Sequence, residues 1–433
     1  MDFAVVLLSL AVLQLLRVDG AAVFQLKHRF FEHHNPASRG ISEDHFKRLV
    51  EQNMRRGRSL ARVEFGLEGG YSEFGLYYTE VELGSPFQKL KVIVDTGSNI
   101  FWVKCKPCQS CLNPEDDSSP SQTLFDTNSS STLAWSRCSD PLCDPHQCQN
   151  KSVNSVCSFE IGYGDNSSST GAFVRDNISL VSRDQGRGDT TSKIFLGCAN
   201  YISGSWPGDG VMGFGPLPLA APSQIAAQRN LTKIFWHCLS GERDGGGVLA
   251  LGESPPELGM VYTPLLNTSG YYSVILLGIS VNFKILPIDT KDFLDTRNSS
   301  GTHGVIFDSG TTFATLSTAA NNLLFQTILN LTSATVASDI NETRCFHVRT
   351  SLGSSFPNIT LFFQGGASMS LTPENYLASV TTNQKIHVYC YVWQSSGDLT
   401  VLGEIVLKDK LVVYDLENSR VGWKKGHRDC HKQ

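Results

Sequence analysis

At 433 residues the chain is long enough for two or three domains of ordinary size, which excludes a miniature scaffold held together by cross-links alone. Hydrophobic residues make up 41% and charged residues only 18%, with 38 Gly, so short strands and turns are favoured over long helices or disorder. The 36 Lys and Arg against 41 Asp and Glu give a formal charge of −5, and no basic block interleaved with aromatics occurs, which argues against nucleic acid as a partner.

Residues Ala4–Leu16 form an uncharged, mostly apolar run followed by Val18-Asp19-Gly20. That pattern predicts a signal peptide over 1–20, cleaved near Gly20, although Met1-Asp2-Phe3 carries no Lys or Arg, and the run is too short to span a bilayer. The next stretch, 21–62, carries nine Lys or Arg, four Asp or Glu and four His, whereas the chain from Tyr71 onward is net acidic. A basic prosegment is expected there, and Gly66–Gly70 reads as a linker closing a 21–70 leader region. Alternation then begins: Tyr77–Leu83 predicts a strand, Gly84-Ser85-Pro86 a turn, and Leu90–Val94 a second strand running into Asp95.

Seven of the twelve Cys lie within 105–157, a turn-rich insertion in which Asn113–Ser121 reads as an exposed loop. Strands are predicted later at Ile194–Leu196, Val248–Leu251, Tyr272–Leu277, Val305–Phe307, Ile359–Phe363, Val388–Trp393 and Leu411–Tyr414. Only Pro222–Arg229 and Ala319–Ile328 read as helices, so the predicted class is all-β with minor helices. Leu399–Leu416 is broken by Glu404, Lys408, Asp409, Lys410 and Asp415, and the basic, polar end at Lys424–Gln433 lacks the apolar tail of a lipid-anchor signal. A soluble monomer without a membrane anchor is expected.

After a signal peptide, an even cysteine count predicts six disulfides made in an oxidising compartment. Ten Asn-x-Ser/Thr sequons agree with secretion, at Asn128, Asn150, Asn166, Asn177, Asn230, Asn267, Asn298, Asn330, Asn341 and Asn358. The expected address is secreted, with extracellular space, cell wall and vacuole all open.

One octapeptide pattern occurs twice. Lys91-Val92-Ile93-Val94-Asp95-Thr96-Gly97-Ser98 is echoed by Gly304-Val305-Ile306-Phe307-Asp308-Ser309-Gly310-Thr311, an apolar strand ending in Asp-Ser/Thr-Gly-Ser/Thr. Later in each half, Val211-Met212-Gly213 is echoed by Val401-Leu402-Gly403. The repeat predicts two related lobes, 71–260 and 261–433, divided near Met260. If a pseudo-twofold brings Asp95 and Asp308 face to face, the two carboxyls cannot both ionise comfortably and share one proton. Such a pair can deprotonate a water attacking a peptide carbonyl and protonate the developing oxyanion, with neither metal nor covalent intermediate.

The chain resembles the pepsin-like aspartic proteases, and within them the plant nepenthesin-like branch, from about Leu76 to Cys430. The resemblance rests on Asp95-Thr96-Gly97-Ser98 with Phe101-Trp102-Val103, Gly162-Tyr163-Gly164-Asp165, Phe195-Leu196-Gly197-Cys198 and Asp209 through Gly215. It continues with Phe235-Trp236-His237-Cys238-Leu239, Asp308-Ser309-Gly310-Thr311, and Val401-Leu402-Gly403-Glu404 near Val413-Tyr414-Asp415. It implies a bilobal all-β fold and an aspartic endopeptidase acting on proteins or peptides without a cofactor; the shared proton predicts activity at acidic pH, and the basic stretch 21–62 predicts a zymogen. Asp95 and Asp308 would be catalytic, Ser98 and Thr311 would bond their outer oxygens, and Tyr163 would sit on a flap, bonded to Trp102. The implied cystines are Cys105–Cys108, Cys111–Cys198, Cys138–Cys157, Cys143–Cys148, Cys238–Cys430 and Cys345–Cys390, a connectivity that sequence alone does not establish. Asn166 replaces a Gly common in relatives after the flap Tyr, and Pro216–Pro222 is unusually Pro-rich.

Other classes find less support. Plant proteins of this fold that inhibit glycan hydrolases typically lack an intact second Asp motif, whereas both are intact here; a binding or inhibitor protein is the second hypothesis. Cys105-x2-Cys108-x2-Cys111 has a metal-like spacing, but secretion and the even count favour disulfides, so no metal is expected. No Gly-x-Ser-x-Gly or comparable nucleophile signature occurs, and the eleven His read as surface or local hydrogen-bonding residues.

Overall fold

The computed structural model describes residues 63–70, 76–108, 110–111, 123–148, 152–180, 191–204, 206, 208–241, 246–252, 255, 258–267, 270–294, 304–337, 344–380, 387–396 and 399–426. The expected signal peptide, the basic stretch 21–62, Asn113–Ser121, Cys430 and the sequons at Asn150, Asn298 and Asn341 lie outside the described residues. Among those described, no helix is long and apolar enough to cross a membrane.

Alternation is clearest in the second half of the strand Leu76–Leu83, where Val81 and Leu83 are buried and Glu80 faces solvent; Tyr77, Tyr78 and Thr79 before it are all buried. The next strand, Gln88–Asp95, ends in four consecutive buried residues, Val92 to Asp95. Both its edges are occupied: it pairs antiparallel with Leu76–Leu83 and parallel with Gly210–Gly213. An apolar run of that kind suits a strand covered on both faces.

The strands just before and after each Asp obey one plan. In the first half, Gln88–Asp95 lies parallel to Gly210–Gly213, which is antiparallel to Trp102–Lys106. In the second, Val305–Phe307 lies parallel to Val401–Leu402, which is antiparallel at Thr315 to the strand Thr315–Ser317. The two apolar-apolar-Gly echoes are thus the partner strands that flank the two Asp loops. Their glycines permit close passage: a Cβ on Gly213 would stand 2.7 Å from the Ile100 nitrogen, and one on Gly403 2.3 Å from the Phe313 carbonyl oxygen.

The halves are not cleanly divided near Met260. One run of strands goes Val261–Pro264, Arg420–Lys425, Lys410–Asp415, Ile234–Leu239, Gly247–Leu251 and Val63–Gly70, before continuing into Leu76–Leu83. C-terminal strands therefore pair with strands of the first half, and a core of aromatics lies across the join, with Phe235 stacked on Tyr414 and Tyr272 against both. Gly66–Gly70, expected as a linker, belongs to the strand Val63–Gly70 that connects the two parts of this sheet. Sheet pairing runs through the backbone, so a Gly-rich segment can join it; Leu67 supplies a buried apolar anchor.

The helices Ala221–Arg229 and Thr318–Leu331 stand where the periodicity places them. Ser317 caps the second, its Oγ accepting from the Ala320 backbone N–H at 3.3 Å.

Four of the expected disulfides are corrected. The bonded pairs are Cys105–Cys198, Cys108–Cys111, Cys138–Cys148, Cys143–Cys157 and Cys345–Cys390. Cys105 is not joined to Cys108, nor Cys111 to Cys198, because Cys105 sits inside a strand parallel to Thr191–Ser203, with Val103 opposite Cys198. Residues two apart share a strand face, so Cys105 meets Cys198 across the sheet, and Cys108, past the strand end, closes on Cys111. Cys138–Cys157 and Cys143–Cys148 are likewise replaced. Cys148 and Cys157 are neighbours in an antiparallel bridge, and the Cys143 and Cys148 sulfurs are 3.5 Å apart. With the sulfurs clustered so closely, sequence spacing carries no information on which pair closes. Cys238 is also disulfide-bonded.

Candidate active site

Each Asp sits where a buried strand ends and the chain turns, and the turn bonds it identically on both sides. Asp95 Oδ1 accepts from the Gly97 backbone N–H at 2.8 Å and Oδ2 from the Ser98 hydroxyl at 2.5 Å. Asp308 Oδ1 accepts from the Gly310 N–H at 2.8 Å and Oδ2 from the Thr311 hydroxyl at 2.6 Å. A short hydroxyl-bearing residue three positions on is what a carboxylate at a strand end needs for its outer oxygen, and Gly two positions on lets the backbone turn toward the inner one.

The loops are also cross-linked to each other. Thr96 Oγ1 accepts from the Ser309 N–H at 2.9 Å and donates to the Phe307 carbonyl at 3.1 Å. Reciprocally, Ser309 Oγ accepts from the Thr96 N–H at 3.1 Å and donates to the Val94 carbonyl at 3.0 Å. Four hydrogen bonds between fully buried residues hold the two strand ends in register. They bring each carboxyl against the glycine of the opposite loop: a Cβ on Gly97 would lie 2.4 Å from the Asp308 carboxyl carbon, and one on Gly310 2.2 Å from Asp95 Oδ1. Nothing larger than Gly fits either position while the other carboxyl stays in place.

Asp95 is buried, and burial together with the facing charge of Asp308 pushes its carboxyl well above the usual range, against the opposing pull of the Ser98 and Gly97 bonds. The facing pair therefore keeps a proton to higher pH than an isolated carboxyl would.

Above Asp95 the strands Ser158–Gly162 and Ser168–Leu180 form a hairpin. Its tip is a three-residue loop in which the Asn166 N–H bonds the Tyr163 carbonyl and the Tyr163 N–H bonds the Ser167 carbonyl. Asn166 has φ 66°, the left-handed position usually given to Gly, which Asn tolerates well, so Asn serves this turn as Gly would. At the base of the hairpin tip the Tyr163 hydroxyl accepts from Trp102 Nε1 at 2.7 Å. Burial and the Asp95 charge raise the Tyr163 phenol, which stays neutral and close to Ser98.

Three neighbours escaped the reading of the sequence. Trp206 stands edge-on to both Trp102 and Tyr163, at ring separations of 5.1 and 4.8 Å, completing an aromatic trio. Lys104, fully buried, donates to the Trp206 carbonyl at 3.1 Å, and burial lowers its amine to about 8. Tyr271 lies near both carboxyls, whose charges and its own burial raise its phenol. Two signals were available: a lone Trp between Ser205 and Pro207 in a polar loop, and a Lys inside the apolar strand Trp102–Lys106. The Pro-rich segment 216–222 is tied to the first Asp loop through Asn99, which accepts from the Leu217 N–H at 2.9 Å and donates to the Gly270 carbonyl at 2.8 Å.

Of the described sequons, Asn128, Asn166, Asn230, Asn267, Asn330 and Asn358 are exposed and Asn177 is half-buried. His237 is a core residue whose Nε2 lies 3.1 Å from the Tyr414 hydroxyl, and burial lowers its imidazole to about 3. Cys138, Cys143 and Cys148 are close enough to share an ion, but all three are consumed in disulfides and offer no thiolate.

Two family models match the chain, described as xylanase inhibitor N-terminal over residues 77–253 and xylanase inhibitor C-terminal over residues 271–425. Aspartic proteinase 36 of Arabidopsis thaliana is 34% identical, covering 94% of this chain and 84% of the relative. Aspartic proteinase 39 of the same plant is 33% identical over 93% and 83%, and nepenthesin-1 of Nepenthes gracilis 30% over 87% and 85%. With relatives aligned across both Asp loops and the sheet that joins them, the chain belongs to the pepsin-like aspartic protease family and is an aspartic-type endopeptidase.

Proposed function

We propose that the protein hydrolyses internal peptide bonds of proteins at acidic pH with a water activated between Asp95 and Asp308. The observation that carries this is the mirrored pair of loops, with four interlocking hydrogen bonds fixing two carboxyls against each other. The pair holds one proton. Its ionised member takes a proton from water as the oxygen attacks the scissile carbonyl, and its protonated member supplies a proton to the carbonyl oxygen; a later transfer to the nitrogen releases the amine. Ser98 and Thr311 hold the outer oxygens, and Tyr163, kept neutral and fixed by Trp102, closes the site from the hairpin above. Activity falls at low pH when both carboxyls are protonated and at higher pH when the shared proton leaves, so the profile is bell-shaped.

The inhibitor-like reading draws on the printed description of the family models and is separated by one assay. Incubated with unfolded protein across pH 3 to 8 (range of order set by the carboxyl pair), the protein should cleave on the acidic side. A statine-type transition-state mimic should stop it, while chelators and thiol blockers should not. Absence of cleavage together with tight binding of a glycan hydrolase would reverse the assignment.

The signal-peptide pattern, sequons and disulfides support a secreted glycoprotein. The basic composition of 21–62 supports a zymogen whose leader is attracted to the acidic remainder and released as carboxylates protonate. Protein expressed from Ala21 should then be latent, and shorten and activate on acidification. Full activity at first mixing without shortening would refute the zymogen.

A further inference from the structure

The sheet that carries Asp308 ends at a pocket. Its strands run in the order Ser273–Val274, Val305–Phe307, Val401–Leu402, Thr315–Ser317, Gln394–Ser396. Beside the last of these is a cavity of about 460 Å³ lined by Phe313, Arg344, Tyr391 through Ser395, and the Cys345–Cys390 disulfide. Phe313 follows Thr311, the residue bonded to Asp308, by two positions, and the Gln394 N–H bonds the Ala314 carbonyl at 2.9 Å. One wall of the pocket is therefore joined to the catalytic loop through the backbone. Three strand spacings of about 4.8 Å separate the strand leading to Asp308 from the one at the pocket, a span of roughly 14 Å, which an extended peptide covers in about four residues.

Arg344 is the charged group of this pocket, and it is prepared for an anion. Its guanidinium lies 4.8 Å over the Phe325 ring and 5.7 Å from the Tyr391 ring, and one nitrogen donates to Asn322 Oδ1 at 3.2 Å. Its backbone is pinned by the adjoining disulfide and by the Tyr391 N–H, which bonds the Arg344 carbonyl at 2.8 Å. The polar groups behind it are already satisfied among themselves: Asn321 accepts from the Tyr391 hydroxyl at 2.6 Å and donates to Ser395 Oγ at 3.0 Å. Among the described residues, no Asp or Glu lines the pocket and no carboxylate pairs with Arg344. A planar cation stacked on aromatics, with most of its donors uncommitted, matches a carboxylate in both charge and geometry.

We infer that this pocket is a substrate subsite in which Arg344 binds the carboxylate of an Asp or Glu side chain about four residues from the scissile bond. The inference rests on the reading of Asp95 and Asp308 as the catalytic pair, since that pair defines where the bond is cut. It gives the enzyme a preference for acidic residues at a distance from a cleavage point otherwise set by the aromatic-lined site.

The test uses matched pairs of internally quenched peptides in which Asp and Asn, or Glu and Gln, alternate at each of the five positions on either side of the cleaved bond. The wild-type protein should favour the acid about tenfold in kcat/KM at one position near the fourth. The preference should grow as pH rises through the range of the peptide's own carboxyl, about 4, as that side chain ionises. In Arg344→Gln the acid-to-amide ratio should fall to about one, and in Arg344→Glu it should invert in favour of the amide, with melting curves confirming that both variants fold. A wild-type ratio near one at every position, or a ratio unchanged by Arg344→Gln, overturns the inference. If no peptide is cleaved, the function proposed above fails on its own. Fluorescence anisotropy of the same labelled peptides on wild-type and Arg344→Gln protein then reads the subsite directly, equal affinity for acid and amide peptides counting against it.

Discussion

The two Asp loops are bonded alike but housed differently. Around Asp95 the next layer is aromatic: Trp102, Tyr163 and Trp206 pack edge to face beneath a hairpin, and the residue after the echoed Gly213 is Phe214. Around Asp308 the next layer is charged, for the residue after Gly403 is Glu404, fully buried with neither carboxyl oxygen hydrogen-bonded, and Arg344 lines the pocket beyond. Duplication of a strand-loop unit thus suffices to build a symmetric pair of carboxyls. The residues packed behind each loop are not duplicated, and on the readings proposed above they set what the pair accepts and add to the pH response of the fold.

The largest expected effect breaks the symmetry itself. Asp95→Asn and Asp308→Asn should each lower kcat by about a thousandfold or more, and the double variant should be little worse than either, because the pair acts as one unit. Substantial turnover by either folded single variant would show that the mirrored geometry is not the catalytic device. Next in size, Gly97→Ala and Gly310→Ala each push a methyl group into the opposite carboxyl, so both should cost about a hundredfold in kcat by misplacing it. Equal losses would show that the loops remain equivalent despite their surroundings.

Glu404 sharpens the difference through stability. Burial raises its carboxyl from 4.5 to about 7, opposed by Lys408 and assisted by Asp409. A carboxyl raised in the folded state stabilises fully below its unfolded value and loses that contribution as pH climbs through the folded one. Folding should therefore weaken between about pH 4.5 and 7, in the same sense as at Asp95. Glu404→Gln should flatten that decline by on the order of 2 kcal/mol, measured by denaturant unfolding at several pH values. An unchanged slope would place the pH response elsewhere.

On the other side, Trp206→Ala removes the ring that steadies both Trp102 and Tyr163, and should cut kcat/KM about tenfold while leaving the acid-to-amide preference at the Arg344 pocket in place. A loss of both together would mean the two surroundings are not independent. The smallest effect compares two left-handed residues. Asn166 at φ 66° suits its turn, but Phe283 at φ 68° is a bulky side chain in the same conformation and is 99% exposed, so its ring gains no packing for the strain. Phe283→Gly should raise stability by about 1 kcal/mol with activity unchanged, whereas Asn166→Gly should move melting little. A destabilised Phe283→Gly protein would show that the ring has a partner in solution.

Much of this protein could be read along the chain, because the features concerned are local. Alternation marked the strands, helical spacing marked Ala221–Arg229 and Thr318–Leu331, and the repeated octapeptide marked both carboxyls with the Gly and hydroxyl that bond them within three residues. The Gly213 and Gly403 echoes are legible in the same way, though their role as partner strands is not. Relations between distant segments were not legible. That Gly66–Gly70 would be a strand depended on an edge supplied by Gly247–Leu251, and backbone pairing leaves little trace in side-chain identity. That Cys105 would find Cys198 depended on parallel neighbours 93 residues apart in sequence. Glu404 and Arg344 are ordinary in sequence, and the surroundings of all four residues, Trp206 and Lys104 included, come from burial and ring contacts that exist only once the chain has folded around them.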